Sequence, residues 1–138
     1  MKMNKEKVQE KYIELQIIEQ HIKQLQKQIQ MVESQITELA TAHEALEDFK
    51  KLQAGTKILV PISNGIFAKA EVKDTKELIV NVGANVTVNK DVEAAKSLIQ
   101  EQIDEMKSFQ ERVILDLQNL GEKGSSLETE LQSMISEK

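Results

Sequence analysis

The 138-residue sequence has no cysteine and no tryptophan, and it contains only one proline, one tyrosine and three phenylalanines. Without cysteine it has no disulfide, thiolate metal site or cysteine nucleophile, which is typical of a reducing compartment. With so few aromatic residues, it is not expected to build a thick globular core. Its residues are 40% apolar and 30% charged, a balance that favours long solvated helices over disorder.

The net charge of −5 is distributed unevenly along the chain. Residues 91–138 carry 11 acidic and 5 basic side chains, whereas residues 54–90 carry 5 lysines and 3 acidic residues. An acidic segment repels phosphates, and no basic stripe with interleaved aromatic residues offsets it, so nucleic acid is not expected as a partner. No apolar run of signal-peptide or transmembrane length follows the polar first ten residues. This predicts a cytoplasmic protein without a membrane partner.

The first segment is predicted to form one long helix over residues 5–53. Its apolar residues recur at alternating steps of three and four, which is the heptad seam of a coiled coil. The seam consists of Leu15, Ile18, Ile22, Leu25, Ile29, Val32, Ile36 and Leu39, and it continues through His43 and Leu46. Towards the N-terminus the seam would need Lys11, so Val8 and Tyr12 match it loosely and the first turns are expected to fray.

The pattern changes at Ala54-Gly55-Thr56, after which apolar residues alternate with a period of two. Turn signals at residues 63–65, 73–76 and 83–85 separate four short strands, so residues 56–88 are predicted to form two β-hairpins in series. So short an insert cannot bury a core alone, and its open edges invite pairing between subunits that closes a barrel. The candidate oligomerisation residues are Ile58, Val60, Ile66, Ala68, Val72, Leu78, Val80, Val82, Val86 and Val88.

A second helix is predicted over residues 91–137, with Asp91 as its N-cap. Its apolar stripe comprises Ile99, Ile103, Met106, Phe109, Val113, Leu117, Leu120, Leu127, Leu131 and Met134. Two successive steps of four from Phe109 to Leu117 predict a stutter in the coil. Gly121 and Gly124 allow two interpretations: a continuous helix that opens easily, or a break with a restart at the capping box Ser125 to Glu128.

Two helices of nearly equal length around a small insert predict an α+β fold, organised as one domain over residues 1–138. The helices are expected to fold back as an antiparallel two-helix coiled coil in which paired residue numbers sum to about 144. This pairing would place Val32 near Arg112 and Val113, and both termini at the far tip of the coil.

The sequence contains no constellation suited to catalysis or to metal and cofactor binding. His21 and His43 lie on one helix, about 33 Å apart at 1.5 Å per residue, too far to share a metal ion. Acidic residues such as Glu101, Asp104 and Glu105 are interpreted as a solvated helix face. No glycine-rich loop joins a strand to a helix to hold a phosphate. We therefore expect a non-enzyme without cofactor or metal.

The order long helix, two hairpins, long helix carries specific motifs in its insert. These are Ile58-Leu59-Val60-Pro61, Lys69-Ala70-Glu71 and Val80-Asn81-Val82-Gly83-Ala84, followed by Asp91. Over essentially its whole length, the chain resembles the alpha class of prefoldin subunits. The resemblance implies an ATP-independent chaperone, a hexamer with beta-type subunits whose double β-barrel body bears coiled-coil tentacles. Their tips would hold unfolded proteins and deliver them to a chaperonin.

The tip of the coil has more apolar residues than one seam can bury. The candidate client-binding residues are Met3, Val8, Tyr12, Ile13, Ile17, Leu127, Leu131, Met134 and Ile135. A plainer interpretation is that Met1, Met3 and Ile135 are ordinary disordered chain ends.

Two other functions remain as alternatives. Edge pairing that does not close would give a filament or scaffold subunit, with self-association into larger assemblies. A regulator that probes a polymerase channel would need the helix-joining loop at its tip, which a β platform disfavours.

Overall fold

Two long helices flank four short β-strands in this chain. The structure, a computed structural model, describes residues 2–136, and side chains from Lys5 to Ser136. The elements in chain order are helix α1 (Lys2–Lys50), strands β1 (Lys57–Ser63), β2 (Ile66–Glu71), β3 (Leu78–Gly83) and β4 (Val86–Lys90), and helix α2 (Val92–Ser136). The predicted α+β fold, two long helices around two hairpins, is confirmed.

The residues fall into two compact units. Unit 1 contains α1 up to Ile36 and α2 from Glu105 onward, and unit 2 contains residues Thr37–Asp104. Each unit is described by itself below. That residues 1–138 act as a single domain stays a prediction.

Unit 1 is a two-helix coil whose α1 seam is longer than expected. Ile18, Leu25 and Val32 are buried, and partly buried residues continue the steps of three and four back to Val8. Lys11 takes the intervening seam position and ion-pairs with Glu130 of α2. A lysine can occupy a seam because its methylene stem packs while its ammonium group reaches the surface. The prediction that Val8 fits the seam only loosely is therefore wrong, whereas Tyr12 does lie outside the seam.

The α2 seam of unit 1 differs from the predicted stripe at Phe109. Phe109 is exposed, and the neighbouring Gln110 is partly buried instead. Gln110 Nε2 donates a hydrogen bond to Glu33 Oε2 of α1 at 2.6 Å. With Gln110 in the seam, the steps from Met106 to Val113 are four and then three, so the predicted stutter is wrong. The apolar pattern was misleading because a glutamine takes the packing position and an aromatic residue lies beside it.

Helix α2 runs without a break through Gly121 and Gly124. Gly124 is buried at a seam position, where a side chain would meet Ile18 and Leu15 of α1. Gly121 has nothing within 4 Å of its missing side chain. The continuous helix is therefore the correct one of the two interpretations, and Gly124 permits close packing of the two helices.

Polar contacts within each unit show that the two helices are antiparallel. In unit 1, Lys11 pairs with Glu130 and Glu33 with Gln110. In unit 2, Lys50 Nζ lies 2.5 Å from Glu93 Oε1, and Lys96 pairs with Glu47. The residue numbers of these four pairs sum to between 141 and 143. The predicted sum of about 144 is therefore accurate to within one helical turn.

In unit 2 the helix ends are set by local hydrogen bonds. Asp91 Oδ1 accepts a bond from the Ala94 amide at 2.7 Å, which confirms Asp91 as the cap of α2. After α1 ends at Lys50, Gly55 takes a left-handed conformation with φ of +91°. Its amide then donates to the Val72 carbonyl at 2.6 Å, which ties the loop after α1 to the residue that follows β2.

Candidate assembly and client-binding surfaces

The first hairpin, hairpin 1, presents an aliphatic surface built from both of its strands. Ile58 of β1 lies opposite Ala70 of β2, and Val60 lies opposite Ala68. Residues directly opposite one another share a face of the sheet. Ile58 and Val60 are exposed, and the two alanines are partly covered. We call these four residues the first face of hairpin 1.

The opposite side of hairpin 1 is also partly apolar. The cross-strand pairs on this side are Leu59 with Lys69, Pro61 with Phe67 and Lys57 with Glu71. We call these six residues the second face of hairpin 1. Leu59 is 63% exposed and Phe67 is 56% exposed. A surface cavity of about 580 Å³ is lined by Lys57, Leu59, Lys69 and Glu71 of this face and by Ile58 and Ala70 of the first face.

Hairpin 2, formed by β3 and β4, has one apolar side and one mostly polar side. Val80 lies opposite Val88, and Leu78 opposite Lys90, on the apolar side. The other side pairs Asn81 with Thr87 and Ile79 with Asn89. Ile79 is the exception on this polar side, at 77% exposure. Hairpin 1 therefore has apolar residues on both of its sides, whereas hairpin 2 has them mainly on one.

Tight turns hold the register of hairpin 2. Ala84 and Asn85 both have positive φ, of 50° and 61°, as a two-residue turn of the primed type requires. Asn81 Oδ1 accepts a hydrogen bond from the Gly83 amide at 2.9 Å, beside the register shift that precedes the turn. Because one residue of slippage would exchange the two sides of a strand, this turn decides which residues face outward.

Each hairpin is a separate two-stranded sheet. Within the part of the chain that the structure describes, no third strand joins either sheet, so both outer edges keep unpaired backbone groups. Two-stranded hairpins are marginally stable alone in water, and open edges readily accept further strands. Each hairpin therefore keeps edges at which a further strand has room to pair.

The ten predicted oligomerisation residues differ in accessibility. Ile58, Val60, Ile66, Val82 and Val86 are exposed, and Ala68, Leu78, Val80 and Val88 are partly buried. Val72 is buried in its own protomer, where its amide donates to the Thr56 carbonyl at 2.9 Å. Sequence reasoning missed four exposed apolar residues of the hairpins, namely Leu59, Ile62, Phe67 and Ile79. Their large apolar side chains were the available signal, but strict alternation assigned most of them to the solvent side.

The predicted client-binding residues divide into exposed and buried groups within unit 1. Tyr12, Ile13, Ile17 and Ile135 are between 55% and 62% exposed. Val8 and Met134 are partly buried. Leu127 and Leu131 are buried in the seam, because steps of three and four place them against α1. The Met3 side chain lies outside the described residues.

An ion pair links the two helices near these exposed residues. The Lys11 ammonium donates a hydrogen bond to Glu130 of the other helix. That bond, together with the charges of Glu130 and Glu14, raises the pKa of Lys11 above its usual value, although desolvation acts in the opposite direction. The charged form of Lys11 is therefore the one that the folded coil stabilises.

The described residues hold no arrangement typical of a metal site. No group of three or more histidine or acidic side chains there converges to hold an ion. His21 is exposed on α1 and His43 is partly buried at a seam position. Neither α1 nor α2, over the described length, contains a window apolar enough to span a bilayer.

Comparison with known proteins places this architecture in a family. The family model for "Prefoldin subunit" matches residues 18–137. A filamentous PFD from Methanocaldococcus jannaschii, solved by cryo-EM, has a similar structure with a TM-score of 0.77. The alignment has 23% sequence identity and covers 83% of this chain and 95% of that one. At this identity, the likeness supports the fold alone.

Relatives named "Prefoldin subunit alpha" align with most of the chain. The relative from Thermofilum pendens is 27% identical over 96% of this chain and 100% of its own length. That from Archaeoglobus fulgidus is 29% identical over 94% and 95%, respectively. That from Methanocorpusculum labreanum is 31% identical over 86% and 80%. The chain therefore belongs to the prefoldin family of chaperone subunits.

Proposed function

We propose that this chain is a subunit of an ATP-independent holding chaperone that binds unfolded proteins at one end of its coiled coil. The observation that carries the proposal is the exposure of Tyr12, Ile13, Ile17 and Ile135. All four lie near the Lys11–Glu130 pair on helices whose seam is already filled by other residues. They contribute little to helix pairing, so their apolar character is left for another partner.

The chemistry of this surface suits non-native chains. Scattered apolar side chains on a helical rod offer no pocket of defined shape and no buried polar group for a specific ligand. Each contact is therefore weak and tolerant of sequence, and several rods on one particle strengthen binding by avidity. Such binding needs no bond-making step, so we infer that the subunit is not an enzyme and needs no cofactor.

Assembly through the hairpins would supply the several rods. The open hairpin edges and the first face of hairpin 1 support pairing with beta-type subunits in a cytoplasmic hexamer with a closed barrel. The relatives named "Prefoldin subunit alpha" support the alpha position in that hexamer. We further infer that held clients are delivered to a chaperonin.

An aggregation assay without ATP tests the holding function. The assembled complex should suppress aggregation of a denatured protein, and Ile13→Ser/Ile17→Ser should weaken that suppression several-fold while the complex keeps its mass. Met31→Ser/Leu115→Ser is the matched control, because both residues are more than half exposed on the same coil but lie away from its end. Equal loss in both variants would mean that the end of the coil has no special role.

A second candidate function is that of a filament or scaffold subunit. The open hairpin edges favour it, and so does the solved relative described as filamentous. Electron microscopy of the purified chain alone separates the two functions. Open strings that grow with concentration support the filament, whereas closed particles of constant size support the holding chaperone.

A further inference from the structure

A surface groove opens between the two helices of unit 1 beside Gly121. Gly121 has open space where its side chain would be, whereas a side chain on Gly124 would meet Ile18. The space forms a cavity of about 210 Å³ between α1 and α2. Its apolar lining consists of Leu15, Ile18, Ile22, Gly121 and Gly124. We call this cavity the glycine groove.

The charged residues of the glycine groove are both acidic. Glu19 of α1 and Glu128 of α2 line it, together with Ser125. Both glutamates are exposed, and neither has an ion-pair partner within the part of the chain that the structure describes. An apolar floor between two unmatched carboxylates complements a ligand that is apolar along its length and positive at its end.

The glycine groove adjoins part of the proposed client-binding surface. Tyr12 precedes Glu19 by seven residues on α1, and Ile135 follows Glu128 by seven residues on α2. Residues seven apart lie on the same side of a coiled-coil helix, about 10.5 Å apart along its axis. Because the helices are antiparallel, Tyr12 and Ile135 both lie toward the same end of the coil from the groove. An extended segment spans this distance with about three residues.

We propose that the glycine groove binds lysine and arginine side chains of unfolded proteins, so that this subunit favours client segments in which basic residues lie near apolar ones. The inference rests on the proposed holding function and names a class of client segment for it. The methylene stem of the basic side chain packs over Ile22 and the glycine backbone, and its cationic head reaches Glu19 and Glu128. Arginine binds best, because its planar guanidinium group donates paired hydrogen bonds to carboxylates.

The size and charge of the groove favour a client side chain over a folded partner. A cavity of about 210 Å³ has room for one long side chain, whereas a helix with its side chains is about 10 Å wide. A second copy of this coil is disfavoured, since residues 91–138 carry 11 acidic and only 5 basic side chains. Exposed ion pairs contribute little each, so a held segment can still dissociate.

Peptide binding to the assembled complex tests the proposal. The probes are two labelled, unstructured 15-residue peptides of leucine, serine and glycine, one with three arginines and one with glutamine in their place. Fluorescence anisotropy at low salt should show about fivefold tighter binding of the arginine peptide, and high salt should reduce this preference. Glu19→Gln/Glu128→Gln should lower it to less than about twofold.

Glu10→Gln/Glu122→Gln is the matched control, because both residues are exposed acids of the same coil that do not line the groove. It removes the same charge and should keep most of the preference. Equal effects of the two double variants would show that overall charge attracts the peptide, and would overturn the proposed site.

Filling the groove without changing its charge gives a second test. Gly121→Leu places a side chain in the open space and should weaken binding of the arginine peptide about fivefold, while the complex keeps its mass. Ser126→Leu is the control, since Ser126 is exposed nearby but does not line the groove. Undiminished binding by Gly121→Leu contradicts the proposal. Equal binding of both peptides by a wild-type complex that suppresses aggregation overturns this inference alone, whereas absent suppression overturns the holding function.

Discussion

The Ile18 Cγ2 atom lies 3.4 Å from the point that a Cβ atom on Gly124 would occupy. Leu15 Cδ1 of the same helix is 3.8 Å from that point. Both distances correspond to contact, so α1 and α2 meet closely at this layer of unit 1. Gly121, one turn earlier, has open space instead. Gly121 and Gly124 therefore differ in the size of the side chain that could replace them, although they share one helix.

We predict that alanine raises the stability of the coil at both glycines and that valine is accepted only at residue 121. Gly121→Ala and Gly124→Ala should each raise the free energy of unfolding by about 1 kcal/mol, because glycine costs about that much inside a helix. Gly124→Val should lower it by about 1 to 3 kcal/mol, since its extra methyl groups overpack against Ile18. Urea unfolding of the four single variants measures this, and equal effects of valine at both positions would contradict the close packing.

Gln110 offers a second test of the seam. We expect Gln110→Leu to raise the free energy of unfolding by about 1 kcal/mol, because an apolar side chain replaces a partly buried amide. It should also remove the interhelical bond to Glu33, which specifies alignment of the helices. Thermal unfolding followed by circular dichroism measures the first effect.

Gln118→Leu is the matched control for this change, because Gln118 is exposed on the same helix. It should leave the melting temperature almost unchanged. A lower melting temperature for Gln110→Leu would show that the amide stabilises the coil more than an apolar group would.

The Lys11–Glu130 pair predicts a dependence on alkaline pH. Because folding raises the pKa of Lys11, its contribution is complete below the unfolded value of about 10.4 and is lost as pH rises through the higher folded value. Wild type should therefore lose stability relative to Lys11→Met above about pH 10.5. Their difference in melting temperature should be constant between about pH 6 and pH 9. A difference that stays constant up to pH 12 would contradict the role of the pair.

The apolar side of hairpin 2 predicts where charge disrupts assembly. Val80→Asp/Val88→Asp places two carboxylates on this side, and burying them in an interface would be costly. Light scattering should then report a mass close to that of one protomer. Asn81→Asp/Thr87→Asp adds the same charge to the polar side of the same strands and should keep the assembled mass. Dissociation of both variants alike would show that overall charge is responsible.

Much of the fold could be predicted because apolar residues recur with different periods in helices and in strands. Steps of three and four marked the α1 seam, and alternation with turn residues marked both hairpins. The α2 seam was misread at Phe109, since hydrophobicity alone cannot show that Gln110 reaches Glu33 across the coil. Gly124 was predicted to weaken the coil. The residues that it packs against, Leu15 and Ile18, lie on the other helix, so no local sequence pattern shows the close packing.

The surfaces were harder to predict than the elements. Leu127 and Leu131 belong to the same stripe as other seam residues, and burial distinguishes them from the exposed Ile13 and Ile17. The second face of hairpin 1 was missed because alternation predicts one apolar side per strand. Only the cross-strand register shows that Leu59 and Phe67 lie on one side together.

Gln110 and Gly124 divide the α2 stripe of unit 1 into short blocks, with Val113, Leu117 and Leu120 in one and Leu127, Leu131 and Met134 in the next. The large apolar contacts between the helices are therefore grouped in blocks, separated by a close backbone approach at Gly124 and a hydrogen bond at Gln110. Pulling the two helices of unit 1 apart from the end that carries Met134 would therefore meet resistance in steps, one for each apolar block. A load applied there releases the last block first and leaves the others zipped.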